Sequence, residues 1–125
     1  MNKWWIVVMG GVLVCGSTVV FAHEEPAASV SSEQTLTGEV VDVVCYLDHG
    51  ALGKGHAGCA KKCIQSGLPV AIKVGDHLYL ASLADHAAAN QKLAELAGQQ
   101  VTVHGKIMER DGQHLIEISQ VEKAE

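Results

Sequence analysis

Five residues of types that bind soft metal ions are gathered in one short stretch of the chain. Cys45-x3-His49 is followed by His56-x2-Cys59-x3-Cys63, all within CYLDHGALGKGHAGCAKKCIQSG, which runs from Cys45 to Gly67. Thiolate sulfur and imidazole nitrogen are the donors that zinc and copper take. On a helix, positions i, i+3, i+4 and i+7 share a face, so His56, Cys59, Ala60 and Cys63 are predicted to form one stripe. Ala60 leaves room between the two thiols, and side chains one turn apart can grip a single ion, as paired histidines do in helical zinc motifs. If that helix folds back over the end of the strand carrying Cys45, the third thiol joins them. The expected ligand set is therefore Cys45, Cys59 and Cys63, with His56 or His49 as the fourth. Cys3His is a tetrahedral zinc set, and a thiolate-rich site equally suits Cu(I). Asp48 stands beside His49, where it can orient an imidazole.

Two other chemistries use the same residues. A disulfide from Cys45 to Cys59 or Cys63 would staple the helix to the domain and stabilise it by about 2–4 kcal/mol. A Cys59–Cys63 bridge along one turn matches disulfide torsions poorly. A disulfide exchanging with the remaining thiol would be redox-active, with Lys61, Lys62 and His56 placed to lower a thiol pKa, although no C-x-x-C pair is present. Hydrolytic signatures are missing: the chain has no G-x-S-x-G, H-E-x-x-H or phosphate loop. Glu39 and Asp42 are expected on strand faces toward solvent. His77, His86, His104 and His114 occur singly and read as surface residues, with His104 and His114 expected to be neighbours across a hairpin.

The chain opens MNKWWIVVMGGVLVCGSTVVFAHEEP, with Lys3 before an uncharged apolar run and Val20-Phe21-Ala22 before His23. That is the layout of a signal peptide over residues 1–22. The run is short for a membrane span, which needs about 20 apolar residues, so no stable membrane insertion is expected after cleavage. Retained, it would be an anchor with Trp4 and Trp5 at the interface. Val14 is a poor residue before a lipid-modified Cys15. Cleavage after Ala22 leaves a periplasmic or secreted chain with His23 at its N-terminus, where amine and imidazole together can chelate Cu(II). Three of four cysteines remain, an odd number that cannot all pair within one chain in an oxidising compartment. Eight Lys and Arg stand against 14 Asp and Glu, a formal charge of −6, and Tyr46 and Tyr79 are the only aromatics left among Phe, Trp and Tyr. Such a chain lacks the basic footprint and stacking platform of a nucleic-acid binder. The expected partners are a metal ion and another periplasmic protein.

These residues must be positioned by one small domain, predicted to be mainly β with two helices. Residues 23–34, small and polar with Pro26, read as a flexible lead-in. Thr35 to Cys45 is rich in Val and Thr and reads as a first strand. Its alternation slips between Val40 and Val41, which suggests a β-bulge. A glycine-rich loop leads to a helix over His56 to Ser66, ended by Gly67 and Pro69. Leu68 to Val74 and His77 to Ser82 form a hairpin about Gly75-Asp76, with Val70, Ile72, Val74, Leu78 and Leu80 inward. Asp85 to Ala97 reads as a second helix capped by Asp85. Gln100 to Glu109 and Gln113 to Val121 form a hairpin about Arg110-Asp111-Gly112, with Val101, Val103, Ile107, Ile116 and Ile118 inward.

Five strands with a helix between the third and fourth, over residues 35–123, resemble the OB-fold of small exported bacterial proteins. The Cys/His-bearing helix is then an insert, residues 45–67, between strands 1 and 2. The block CYLDHG…HAGCAKKC…GLPV is similar to one in uncharacterised exported bacterial proteins. The resemblance implies a small five-stranded barrel and names no activity.

Overall fold

A computed structural model describes residues 32–125. The segment expected to be a signal peptide, Cys15, His23 and most of the expected lead-in lie outside the described residues. The elements are β1 (Glu33–Asp42), α1 (Val43–His49), α2 (Ala57–Gln65), β2 (Val70–Val74), β3 (His77–Leu83), α3 (Asn90–Ala94), β4 (Gln100–Arg110) and β5 (Gln113–Lys123), with a 3-10 turn at Ala84–His86. The strands close into a barrel in the order β1-β2-β3-β5-β4. Neighbours are antiparallel except β3 and β5, which run parallel. This is the mainly β, OB-like barrel expected, with α1 and α2 inserted between β1 and β2. No helix among the described residues is long and apolar enough to cross a membrane.

Closure depends on β1 serving two neighbours. Residues 33–39 pair with β4 and residues 39–42 with β2. Gly38 stands at the changeover, where a Cβ would collide with the Lys73 carbonyl oxygen and lie 2.8 Å from the Val74 side chain. The bulge expected in β1 occurs instead between β4 and β5: His104 opposes Gln120 while Gly105 opposes Ile118, which leaves Ser119 as the extra residue.

Val40, Val70, Ile72, Val101, Val103, Ile116 and Ile118 fill the barrel, and Ala60 and Ile64 of α2 and Leu93 and Ala94 of α3 complete the same cluster at one end. In β3 the inward side is Tyr79, Ala81 and Leu83, which pack on this core. Leu78 and Leu80, expected inward, belong to a second cluster with Val41, Val43, Ala71 and Tyr46 on the outer face. The two sets differ by one residue along a strand, which reverses every side chain. The cause is α1, which buries the outer face and leaves both faces of β1's end apolar.

Two further expectations change. The first strand begins at Glu33, inside the expected lead-in, and stops at Asp42, so Val43-Val44-Cys45 is helical. Valine favours strand, but tertiary burial overrides so weak a preference. Asp42 caps α1 through its carboxylate, which accepts from Val44 N at 3.0 Å and Cys45 N at 3.4 Å. Gly50, at φ 69°, ends it. The second helix is only Asn90–Ala94, and its N-cap is Ala89; Asp85 sits in the 3-10 turn at φ 58°. Its alanines permit helix but do not require it, and the chain turns there to bring α3 onto α2.

Candidate metal centre

The chain emerges from β1 directly into α1, so Cys45 lies one turn beyond the barrel rim. After Gly50 the loop folds back and α2 crosses the same rim. Ile64 and Ala60 of α2 face the barrel core, which turns Cys59 and Cys63 toward Cys45. The three sulfurs lie within 4.8 Å of one another and could hold a metal ion. Cys45 and Cys63 are half-buried, Cys59 is exposed, and all three are free thiols, so neither expected disulfide is formed.

The two histidines are placed differently. His56 is the N-cap of α2, makes no side-chain capping bond, and borders the small cleft that Cys45 and Cys59 line. His49 ends α1 and hydrogen-bonds Asp48 through Nδ1 at 3.1 Å, the orienting contact anticipated for that aspartate. Their ring centroids are 6.0 Å apart. Neither imidazole falls within the close grouping of the thiols. The cluster therefore has three donors together, with His56 next along the cleft.

The supports of this arrangement are specific. Glu39 accepts from Gly53 N and pins the glycine loop to β1. Gly98, at φ +71°, packs against that loop so closely that a Cβ would lie 2.7 Å from the Gly53 carbonyl oxygen. Asn90 donates from Nδ2 to the carbonyls of Ile64 and Leu68, both at 2.8 Å, and closes the C-terminal end of α2. Lys61 reaches Glu95 at 2.6 Å and fastens α2 to the segment following α3.

The electrostatics differ from the expectation that lysines activate a thiol. Asp42, only 2 % exposed, is buried beneath the cluster rather than on a solvent face. Cys45 hydrogen-bonds to it, and this contact, with burial and the neighbouring Cys63, pushes the Cys45 thiol up to about 12. Burial also pushes the Cys63 thiol up, reinforced by the charge of Asp42 and opposed by a hydrogen bond from Cys45. At neutral pH these two sulfurs hold their protons, and a cation must displace them to bind. The negative environment that disfavours bare thiolates favours a metal–thiolate complex.

Asp42 is the residue beside the cluster that sequence reasoning misplaced, and the contact of the half-buried Glu39 with the glycine loop is one it did not anticipate. Aspartate followed three residues later by the first cysteine, with Gly50 beyond, is a helix-start and helix-stop pattern, hidden by the valines between. Comparison of the chain with protein-family models, curated proteins and solved structures finds no match.

Proposed function

We propose that the protein is an exported binding module that holds one thiophilic transition-metal ion, zinc or copper, through Cys45, Cys59 and Cys63, with His56 as the fourth donor. The observation that carries this reading is the convergence of three free thiols within 4.8 Å from two separate elements. A lone disulfide staple needs two cysteines, and a third beside them adds nothing to it. Three sulfurs suit zinc and Cu(I) alike, and an imidazole completes a tetrahedral zinc set. His49, adjacent to His56, serves as the alternative fourth ligand or as the group that a partner protein meets during transfer. Signal-peptide cleavage after Ala22 would deliver the module to the periplasm or beyond. There a metal seated at an accessible rim, with Cys59 exposed, is suited to exchange with another periplasmic protein.

The test is elemental analysis of protein purified anaerobically, with a thiol count under denaturing conditions. One equivalent of zinc or copper that disappears in Cys59→Ser is the expected result. Metal-free protein with a single titratable thiol would mean that two of the three are oxidised to a staple, and would overturn the reading.

A further inference from the structure

A second group of metal-binding side chains stands at the other end of the barrel. β2 and β4 run away from the rim that carries α2 and α3. They end at the Gly75-Asp76 and Arg110–Gly112 turns, where β3 and β5 begin. At that mouth His77 and His114 lie with ring centroids 5.3 Å apart and planes at 71°. Glu109 is directly opposite His114 in the β4–β5 ladder, and its Oε2 is 3.6 Å from His114 Nδ1. Tyr79, the register partner of His114, closes one side with its ring centroid 5.4 Å from that imidazole.

The strand period explains the convergence. His77 shares a side with Tyr79, Glu109 with Ile107, and His114 with Ile116, and Tyr79, Ile107 and Ile116 all belong to the barrel core. Three strands therefore direct polar groups into the mouth at the point where the apolar filling ends. The opposite mouth is closed by α2 and α3. The imidazole centroids are also spaced as two rings on one ion are. With zinc–nitrogen bonds near 2.0–2.1 Å, two rings on one tetrahedral ion have centroids roughly 5 Å apart. The donor atoms of the three side chains do not all lie within 4.8 Å of one another, so the exposed His77 and Glu109 must turn for the three to converge on an ion.

We propose that His77, His114 and Glu109 form a second cation site that takes a divalent ion of the zinc and copper(II) class. Its donors are two imidazoles and one carboxylate, a set that retains an open position for water or an exchanging ligand. His114, with 22 % of its side chain exposed, is the anchored donor, while Glu109, at 55 %, is free to swing onto the ion. The site is harder in character than the three-thiol cluster, so the two ends of the barrel select differently: thiols for Cu(I) and zinc, imidazole and carboxylate for Cu(II) and zinc. This inference does not depend on the thiol site being occupied.

Cobalt(II) distinguishes the two sites, because thiolate ligation gives strong charge-transfer absorption and nitrogen–oxygen ligation only weak ligand-field bands. Anaerobic titration of the mature protein is expected to take up two equivalents, one of each spectral kind. The double variant His77→Ala/His114→Ala should lose the ligand-field equivalent and keep the charge-transfer one, and Cys59→Ser should do the reverse. Each single histidine variant should weaken the second site by roughly tenfold or more. His77→Gln and His114→Gln, which keep polar bulk at the mouth, decide the matter if an alanine variant fails to fold. Persistence of the ligand-field equivalent in a folded histidine variant would assign it elsewhere, such as to His23, and overturn the proposal. So would its absence from the unsubstituted protein. Loss of the charge-transfer equivalent alone would instead count against the thiol centre.

Discussion

Asp42 combines two roles in one carboxylate: it caps α1 and sets the proton affinity of the thiol beside it. The roles separate by substitution. Asp42→Asn keeps one capping oxygen but turns an amide nitrogen toward the second N–H and removes the charge, so part of the cap is lost while the Cys45 pKa falls toward the ordinary thiol value; thiolate absorbance against pH measures the shift. Asp42→Ala loses the whole cap and should destabilise the protein by about 1 kcal/mol, read from denaturant unfolding. The raised thiols also give stability a pH dependence with a definite sign. Between the ordinary thiol value of 9.0 and about 12 at Cys45, the folded metal-free chain keeps a proton that the unfolded chain has released. Stability must therefore fall as pH rises through that window. Metal binding reverses the sign at lower pH: the loaded fold carries thiolates where the unfolded chain carries thiols, so its stability should rise from neutral pH toward 9. Unfolding curves at several pH values should show zinc-loaded protein gaining stability from neutral pH toward 9 and metal-free protein losing it above 9.

Among the elements, α2 determines whether the thiols meet, and α2 is held from its ends and its underside. Asn90 satisfies two carbonyls where the helix stops. Asn90→Ala removes the donor to the Leu68 carbonyl in a partly buried place, while the Ile64 carbonyl keeps its bond from Gly67 N, and should cost about 1–3 kcal/mol, seen as a lower thermal midpoint. Gly98 governs the loop that leads into α2. Gly98→Ala puts a side chain into left-handed backbone and against Gly53 O, which should cost about 1–2 kcal/mol from the backbone alone with the clash added. Because the loop carries His56, metal affinity should fall along with stability. A competition titration against a chromophoric chelator would register it. The hairpins behave more independently: the β4–β5 turn can change without disturbing the thiols, as it lies at the far mouth.

At the scale of the whole molecule, one barrel presents two chemically different ends. Ile64, fully buried, joins α2 to the core and so couples barrel packing to the thiol rim. Ile64→Ala should lower stability by about 2–5 kcal/mol and loosen metal binding at the rim. The His77–His114 mouth, which shares no residue with α2, should keep its affinity in whatever fraction remains folded. Calorimetric unfolding with and without zinc tests the coupling.

Much of this was legible beforehand. Val70, Ile72 and Val74, Val101 and Val103, and Ile116 and Ile118 alternate as strands facing one core do, and the turns between them carry glycine, so four of the five strands were readable within a few residues. The helix Ala57–Gln65 and the i, i+4 thiols on it followed from spacing alone. Other features were not legible, because they depend on what covers a surface. Whether Val43–Cys45 continues β1 or starts α1 is settled by burial of Val41, Ala71 and Leu80 under that helix, and local preference pointed the other way. The same cover reverses the inward side of β3 and buries Asp42. His77 and His114 are far apart in sequence, and only the parallel pairing of β3 with β5 makes them neighbours. The sequence by itself determined the donors, their spacing on one helix and the barrel that holds them. Tertiary structure decided which donors meet, because ligand geometry is set by packing between elements, and pairings across long stretches of chain leave no local pattern to read.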